Sequence, residues 1–389
     1  MGHLVRSIEI VRGLIPDFQV CFINGGQVIE AFQFPKEVEV VNIPAIKTDS
    51  EFQELRPVDS SLTLAEVEEI RKEQLLNVFN RIQPDILIIE LFPFGRRRFS
   101  FELIPLVEQA KAAGTKIVSS LRDIVVTKQD QQRHEEKVCR LMNKYFDLLL
   151  IHGDPKFITL NSSFSRVDDF ECAVHYTGYV TQALPSGEEN NTLKFPRKPF
   201  ILVSVGGGRF GHDLLDCVAK TASILKDKIP HHLQIFTGPF SPDSVYNSLK
   251  DRAAKQENIT VERYTSNFLS YMQNADLSIG MSGYNTTMNI LSTGVKAMMM
   301  PFQGNGDLEQ LTRVKKLDEI GRVRMIKPED LEPQAFADKI INYLQESATP
   351  LSVNLDGVSN TANYLRQLVS EQLVSEQKAI SSANIVTIT

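Results

Sequence analysis

Short apolar runs alternate with amphipathic stretches along most of the chain. In the first half, this pattern predicts buried strands at residues 18–24, 38–43, 85–91, 116–120 and 148–152. The stretches between them have helical periodicity, and Thr63-Leu-Ala-Glu66 matches the capping box that opens a helix. Strands separated by helices in this way predict right-handed βαβ units and a mostly parallel sheet.

Residues 181–199 interrupt this rhythm, because they are polar, rich in proline and without an apolar period. We interpret them as a linker between a domain at 1–180 and a second domain at 200–348. The second series has predicted strands at 200–205, 233–237, 259–262, 277–279 and 297–300, with helices between them. Residues 349–389 are expected to form a C-terminal helix that packs back on the first domain, and the last dozen residues a polar tail.

Composition narrows the function classes. The chain has 389 residues, enough for two or three domains, and its net charge of -6 gives no general attraction to nucleic acid. Its four cysteines lie far apart, which argues against a zinc or disulfide framework and fits a reducing cytoplasm. No apolar run approaches the ~20 residues that a membrane-spanning helix needs.

The strongest candidate for chemistry lies at residues 274–294. A short buried strand there runs into Met281-Ser282-Gly283, and a helix is predicted to begin near Asn285. Ser282, Asn285 and Thr286 can cap this helix or donate hydrogen bonds, and its N-terminus carries a partial positive charge. The junction fits an anion such as a phosphate, although a capped helix in an ordinary βα unit explains it equally well.

Two neighbouring loops supply further candidates. The segment Val205-Gly206-Gly207-Gly208-Arg209-Phe210-Gly211 could hold phosphate in a backbone nest, or could simply be a tight turn. It is an incomplete dinucleotide fingerprint, because Thr237-Gly238-Pro239 stands where an acidic residue would end the next strand. Glu309 and Gln310 are predicted in the first turn of a helix, where they either bind ribose or sugar hydroxyls or complement the helix dipole.

In the first half, polar side chains open a helix or follow strand ends. His3 stands at a predicted helix start and could act as a base or donor, or could lie on the surface. Arg96 and Arg97 follow a buried strand and could hold an anionic acceptor, or could form a solvated basic turn. Arg122 follows another strand end and is a further acceptor candidate, with an internal ion pair to Asp123 as the favoured alternative.

Taken together, six short motifs resemble the GT-B glycosyltransferases of the family-28 type. They are Gly2-His3-Leu4-Val5-Arg6-Ser7, Pro93-Phe94-Gly95-Arg96-Arg97, Leu121-Arg122-Asp123, Gly206-Gly207-Gly208, Ser282-Gly283-Tyr284-Asn285-Thr286, and Glu309-Gln310 followed by Arg313. That family includes the enzyme that adds N-acetylglucosamine to the lipid-linked peptidoglycan precursor, and the chain resembles a bacterial branch of predicted glycosyltransferases more closely. The resemblance implies an α/β protein of two Rossmann-like domains with mostly parallel sheets that face each other across a cleft.

The resemblance also implies a function. An inverting transferase would move a sugar from a nucleotide-sugar, UDP-linked, to a hydroxyl acceptor, with no cofactor and no metal. The second domain would hold the donor through Gly207, Gly208, Arg209, Phe268, Ser282, Gly283, Asn285, Thr286, Asn289, Glu309 and Gln310. His3 matches the family's glycine-histidine position and would be the base or orient the acceptor, with Arg96, Arg97 and Arg122 on the acceptor side. A lipid-linked acceptor would bring the protein to a membrane surface.

Three departures from the family pattern qualify this reading. The family opens with a β-strand before its glycine-histidine, so the first domain is expected to lack its first strand. Asn289 stands where the family has a glutamate that binds ribose, and Arg209-Phe210 replace small or acidic residues in the glycine loop. A sugar-nucleotide epimerase or hydrolase, or a non-catalytic binding subunit, therefore remains as an alternative.

Overall fold

The computed structural model describes residues 2–28, 34–48, 55–126, 129–185, 195, 199–302, 304, 308–375 and 383–389. The chain divides into a first unit of His3–Thr181 with Val353–Thr389, and a second unit of Gln182–Ser352. Most of the predicted linker, at 186–194 and 196–198, lies outside the described residues.

The described elements follow one another in the alternating order that the sequence predicts. The helices are α1 (Gly2–Leu14), α2 (Leu64–Ile82), α3 (Ser100–Ala112), α4 (Gln131–Tyr145), α5 (His212–Lys226), α6 (Asp243–Ala253), α7 (Phe268–Asn274), α8 (Tyr284–Thr293), α9 (Glu309–Glu319), α10 (Pro333–Gln345) and α11 (Gly357–Ser375). The strands are β1 (Gln19–Asn24), β2 (Glu39–Asn42), β3 (Ile46–Thr48), β4 (Leu55–Pro57), β5 (Ile86–Glu90), β6 (Lys116–Arg122), β7 (Leu148–His152), β8 (Ala173–Tyr176), β9 (Phe200–Ser204), β10 (His232–Phe236), β11 (Ile259–Glu262), β12 (Leu277–Met281), β13 (Ala297–Met300), β14 (Arg324–Met325) and β15 (Asn384–Ile388).

The first unit is built on a parallel sheet in the order β2-β1-β15-β5-β6-β7-β8. Side chains alternate between its two faces, as the strand period requires. One face packs against α2, α3 and α4, and the other against α1 and α11. The sheet is therefore covered by helices on both sides, which explains its nearly continuous apolar strands.

Strand β15 lies in the middle of this sheet. It pairs in parallel with β1, where Asn384 is opposite Gln19, and with β5, where Ile388 is opposite Ile89. The predicted polar tail is therefore wrong for these residues. The predicted gap in the first sheet is wrong as well, because β15 occupies the place between β1 and β5. Its residues Ile385–Ile388 are β-branched and buried on both faces of the sheet, and backbone pairing on both sides completes the strand.

The second unit has a parallel sheet in the order β11-β10-β9-β12-β13-β14. Because all of these strands are parallel, the loops that follow β9, β10, β12 and β13 lie along one edge of the sheet. Ligands of open α/β sheets bind at this edge. In the described part of the chain, no helix is long and apolar enough to cross a membrane.

Candidate functional site

The turn between β12 and α8 places a helix N-terminus at the carboxyl edge of the second sheet. The helix begins at Tyr284, one residue before the predicted start, and Gly283 is its N-cap without a side-chain capping bond. Asn285 and Thr286 lie half-buried in its first turn. Ser282 is 1% exposed, and its Oγ donates to Gln310 Oε1 at 3.4 Å instead of capping the helix. The cap residue thus leaves the first-turn N–H groups to other partners.

The glycine loop follows the adjacent strand, since Ser204 of β9 is paired with Gly280 of β12. Two close backbone approaches shape it. A Cβ on Gly208 would lie 2.5 Å from Thr237 O, and one on Gly238 would lie 2.5 Å from Gly206 O. Both glycines have φ near +90°, a conformation that side chains disfavour. Only glycine therefore fits these positions.

Gly207 and Arg209 connect this loop to the one after β10. The carbonyl of Gly207 accepts from the backbone N–H of Phe240 at 3.0 Å. Arg209 is exposed, and its Cζ lies 5.3 Å from the centre of the Phe240 ring. A guanidinium stacked on an aromatic ring keeps its charge at the surface, where it can reach an anion.

Phe268 is the first residue of α7 and is half-buried. Its ring meets that of Phe236, the last residue of β10, edge to face at 5.9 Å between centroids. Phe268, which the family resemblance places beside the nucleobase of the donor, thus lies at the same sheet edge as the glycine loop.

The predicted ribose and sugar contacts have partners within the second unit. Glu309 is 5% exposed and accepts from the fully buried Arg313 at 3.1 Å. Gln310 Oε1 accepts from Ser282 and also from the backbone N–H of Phe302, at 3.1 Å. Asn289 is buried, and its Nδ2 donates to Gln182 Oε1 at 3.4 Å. Of the predicted loop before Glu309, residues 303 and 305–307 lie outside the described part of the chain.

At the carboxyl edge of the first sheet, Glu90 gathers three cationic or ionisable side chains. It is the last residue of β5 and is 1% exposed. Its Oε1 lies 2.6 Å from His3 Nδ1 and also accepts from Arg6, and its Oε2 accepts from Arg96 at 2.9 Å. Arg96, predicted to hold the acceptor, is therefore tied to Glu90. The role of Glu90 was missed because it depends on α1 meeting β5.

The ionisation of this cluster follows from its charges. Burial raises the pKa of Glu90, but His3, Arg6 and Arg96 outweigh it and hold this pKa well below the usual 4.5. Glu90 raises the pKa of His3, whereas burial, Arg122 and Arg6 lower it, and the net value lies below 6.5. An ionised carboxylate only accepts, so Nδ1 of His3 carries the proton and Nε2 of the neutral ring is the acceptor. Because this ring is neutral at neutral pH, it can act as a proton acceptor.

Two other candidates lie near this cluster. The charge of Arg122 acts on His3, which places its guanidinium on the same edge of the sheet. Asp123 is fully buried and accepts from Tyr179 Oη at 2.9 Å. Arg97 is exposed, and its Nη1 lies 3.3 Å from Nδ1 of the buried His134.

A buried histidine at the end of β7 was not predicted. His152 Nε2 lies 2.8 Å from Ser120 Oγ, and its Nδ1 lies 2.9 Å from Thr177 Oγ1. The hydroxyl of Thr177 donates in turn to Gly178 O at 2.8 Å. Burial, assisted by Arg6, lowers the pKa of His152 to about 3, so this ring is neutral and joins three strand ends.

Comparisons with known proteins bear on both units. Residues 200–367 match the glycosyltransferase family 28 C-terminal domain. One curated relative is the UDP-N-acetylglucosamine–N-acetylmuramyl-(pentapeptide) pyrophosphoryl-undecaprenol N-acetylglucosamine transferase of Thermosipho africanus, 24% identical over 38% of this chain and 40% of its own length. The enzyme of the same name from Proteus mirabilis is 25% identical over 45% of this chain and 51% of its own length. The chain thus spans about half the length of the curated relatives it matches.

Solved structures match over nearly the whole chain. A UDP-glucosyltransferase from Polygonum tinctorium aligns with a TM-score of 0.59 at 12% identity, covering 98% of this chain and 94% of that one. MurG from Acinetobacter baumannii aligns with a TM-score of 0.51 at 12% identity, covering 91% and 99%. At identities this low, the matches to solved structures are evidence for the fold alone. Together with the sequence matches, they confirm the predicted GT-B fold and the resemblance to glycosyltransferases of the family-28 type.

Proposed function

Since the chain is a GT-B protein of the family-28 type, we propose that it transfers a sugar from a UDP-sugar to a hydroxyl acceptor, with inversion and without a bound metal ion. The observation that carries this proposal is the adjacency of a glycine loop and a helix N-terminus in the matched region, two features that can each bind an anion. The glycine loop and the N-terminus of α8 leave neighbouring strands at the same sheet edge.

The diphosphate of the donor would bind at this edge. The N-terminus of α8 supplies partial positive charge, and the backbone of the glycine loop supplies N–H groups close to it. Arg209, exposed and stacked on Phe240, would add a full positive charge. The same groups would stabilise the charge that develops on the departing UDP, so the reaction needs no other electrophile at the leaving group.

His3 would supply the base. As the acceptor oxygen attacks the anomeric carbon, the bond from that carbon to the diphosphate oxygen breaks. The acceptor's proton passes to Nε2 of His3, and the electron pair leaves with UDP. A single displacement of this kind inverts the anomeric configuration. Glu90 holds the Nδ1–H of His3, which fixes both the tautomer and the direction of the ring.

A lipid-linked hydroxyl is the first acceptor to test, because the curated relatives are named for a pyrophosphoryl-undecaprenol substrate. The acceptor would lie on the first unit, where Arg122 is the last residue of β6 and the exposed Arg97 lies in the segment after β5. Guanidinium groups suit a lipid diphosphate, since they bind phosphate oxygens in a planar, two-pronged geometry.

The decisive experiment has two stages. In the first, UDP, UDP-N-acetylglucosamine and UDP-glucose are tested for thermal stabilisation, with ADP and GDP as matched controls. A ligand at about 100 times its Kd adds about 2.7 kcal/mol to the free energy of unfolding. No stabilisation by any uridine ligand would contradict the proposal.

In the second stage, UDP release is measured with and without a polyprenyl-pyrophosphate-linked sugar acceptor, in the presence and absence of EDTA. We expect acceptor-dependent release that EDTA does not reduce, and a product of inverted configuration by NMR. Turnover of UDP-sugar without an acceptor would favour the epimerase or hydrolase alternative. Binding without any turnover in the presence of a range of acceptors would favour the non-catalytic subunit.

A further inference from the structure

Two aromatic rings meet at the carboxyl end of β12. Phe210 belongs to the glycine loop after β9, and Phe302 follows β13; their ring centroids are 4.5 Å apart. Strand β12 lies between β9 and β13, and neighbouring strands are about 4.8 Å apart. The two loops must therefore reach towards each other across the end of β12.

The neighbouring contacts support this placement. A Cβ on Gly211, the residue after Phe210, would lie 3.0 Å from Sδ of Met281, the last residue of β12. The ring pair is therefore close to the turn at Ser282 and Gly283, where α8 begins.

Phe302 is held by neighbouring residues, whereas the ring of Phe210 is exposed to solvent. The backbone N–H of Phe302 donates to Gln310 Oε1, which also accepts from Ser282, so Phe302 is linked to the start of α8. Phe302 is half-buried, whereas Phe210 is 46% exposed. A large apolar ring that stays exposed beside an anion-binding turn is available to a ligand there.

We propose that Phe210 and Phe302 form a wall against which the transferred hexose of the donor packs, and that this wall helps to select the sugar. The proposal rests on the proposed function and adds the sugar contact to it. The diphosphate of a nucleotide-sugar joins the ribose to the transferred sugar. With the nucleoside on the side of β10, near Phe268, the transferred sugar would lie on the side of β13, where the two rings meet. The C–H groups on one face of a neutral hexopyranose are apolar and fit an aromatic ring, whereas a uronic acid brings a charge that gains nothing from it.

The same loop then has two roles. Arg209 points to Phe240, on the side of β10, and Phe210 points to Phe302, on the side of β13. The charged residue would serve the diphosphate, and its neighbour would serve the sugar. Removal of either side chain should therefore change the binding of a different part of the donor.

The experiment compares the affinities of UDP, UDP-N-acetylglucosamine, UDP-glucose, UDP-galactose and UDP-glucuronic acid by isothermal titration calorimetry. The variants are Phe210→Ala, Phe210→Tyr and, as a matched control, Phe240→Ala. Phe240 is 41% exposed, close to the 46% of Phe210, and its loop lies on the other side of β9.

We expect Phe210→Ala to weaken the best-bound neutral UDP-sugar about fivefold and to leave UDP within about twofold of the wild type. Phe210→Tyr should restore the affinity, because it keeps the ring. Phe240→Ala should weaken UDP and UDP-sugars alike, because it removes the ring under Arg209.

Equal effects of Phe210→Ala on the affinities for UDP and for the UDP-sugars, or no effect on either affinity, would contradict the proposal that the transferred sugar packs against Phe210 and Phe302. In those cases UDP still binds the wild type, and the proposed function stands. If no uridine ligand binds the wild-type protein, the result is different: it contradicts both the proposed function and the proposed sugar contact.

Discussion

His3 and Glu90 are 87 residues apart in the chain, and His3 Nδ1 lies 2.6 Å from Glu90 Oε1. The carboxylate belongs to a rigid strand end, whereas the imidazole is on the first turn of α1 and is partly exposed. A buried anion that receives the Nδ1–H leaves Nε2 as the nitrogen with a lone pair, which is the atom that a base would use. Glu90 is therefore a positioning residue for His3.

The first prediction concerns the pH dependence of kcat/KM. Because the pKa of His3 is lowered below 6.5, we expect the acid limb of the profile below pH 6.5. The charge of Glu90 is the largest influence on His3 and raises its pKa. Glu90→Gln should therefore move the acid limb to lower pH and reduce the plateau by about tenfold.

The affinity for UDP serves as the control for that variant, since the proposed donor contacts lie in the second unit. An unshifted acid limb in Glu90→Gln, with the fold intact by circular dichroism, would mean that Glu90 does not position His3.

The second prediction concerns His3 itself. His3→Gln should lower kcat by about 10²–10⁴-fold and leave the Kd for UDP unchanged, because a general base acts on the acceptor proton. The measurement pairs acceptor-dependent UDP release with calorimetric UDP binding. A loss of UDP affinity equal to the loss of rate would instead assign His3 to the donor.

The third prediction is the effect of Glu90 on stability. Arg6 and Glu90 are both nearly inaccessible, with side-chain exposures of 1% and 2%. Glu90→Gln leaves the Arg6 charge without its anion, which should cost about 3–5 kcal/mol in the free energy of unfolding at pH 7. Glu39→Gln is the matched control, since Glu39 and Arg81 form an exposed pair whose loss should change the free energy of unfolding little.

The same carboxylate should make the stability depend on acid. Its pKa is lowered in the folded protein, so its contribution is complete above the unfolded value of about 4.3 and is lost as pH falls further towards the folded value. Urea unfolding at pH 7, 5 and 4 should show the gap between wild type and Glu90→Gln closing only at the lowest pH. A gap that closes between pH 7 and 5 would contradict this assignment.

The fourth prediction concerns His152. Its folded pKa of about 3 lies below the unfolded value of about 6.5, so the unfolded chain binds the additional proton between these limits. Stability should therefore fall as pH is lowered from about 6.5 towards 3. His152→Gln should be less stable at pH 7 but should lose less stability on acidification. An imidazole NMR signal of His152 that titrates near pH 6 would refute the neutral ring.

The fifth prediction compares two glycines at the donor edge. Gly238 has φ of +91° and a Cβ there would lie 2.5 Å from Gly206 O, so Gly238→Ala should destabilise the second unit and displace the glycine loop. Gly283 has φ of −59° and open space around a Cβ. Gly283→Ala should therefore leave the melting temperature unchanged and weaken UDP binding if phosphate approaches the backbone there. Unchanged UDP affinity would exclude that approach.

Much of the fold could be predicted because its signals are local. The strand at Lys116–Arg122 and the helix at Gln131–Tyr145 are visible in the sequence as an apolar run and an amphipathic period. Strand β15 also has a local signal, the β-branched run Ile385–Ile388, but its place between β1 and β5 could not be predicted in this way. Its residues pair with β1 and β5, and the bond from Asn384 N–H to the Asp85 carboxylate spans 299 residues. The information that places it in the middle of the sheet therefore lies in distant parts of the chain.

The site was predictable to the extent that strand ends and glycine turns mark it. Gly208 and Ser282 follow β9 and β12, at the carboxyl edge of the second sheet, and their role in donor binding stays a prediction. The partners of the polar side chains were not predictable. Arg96 was assigned to the acceptor, yet its guanidinium turns back to Glu90, and the carboxylate of Glu309 is held by Arg313. Such pairings depend on which elements become neighbours.

The central position of β15 also has a consequence for biosynthesis. During translation most of the first unit emerges early, with β1 and β5 already made, but the strand that joins them leaves the ribosome only after the second unit. Until then β1 and β5 each present an unpaired edge, which is a template for wrong pairing. The second unit can fold as it emerges, whereas the sheet of the first unit is complete only after β15 has been made. Chaperone dependence and aggregation on premature termination should therefore concentrate in the unit that carries His3.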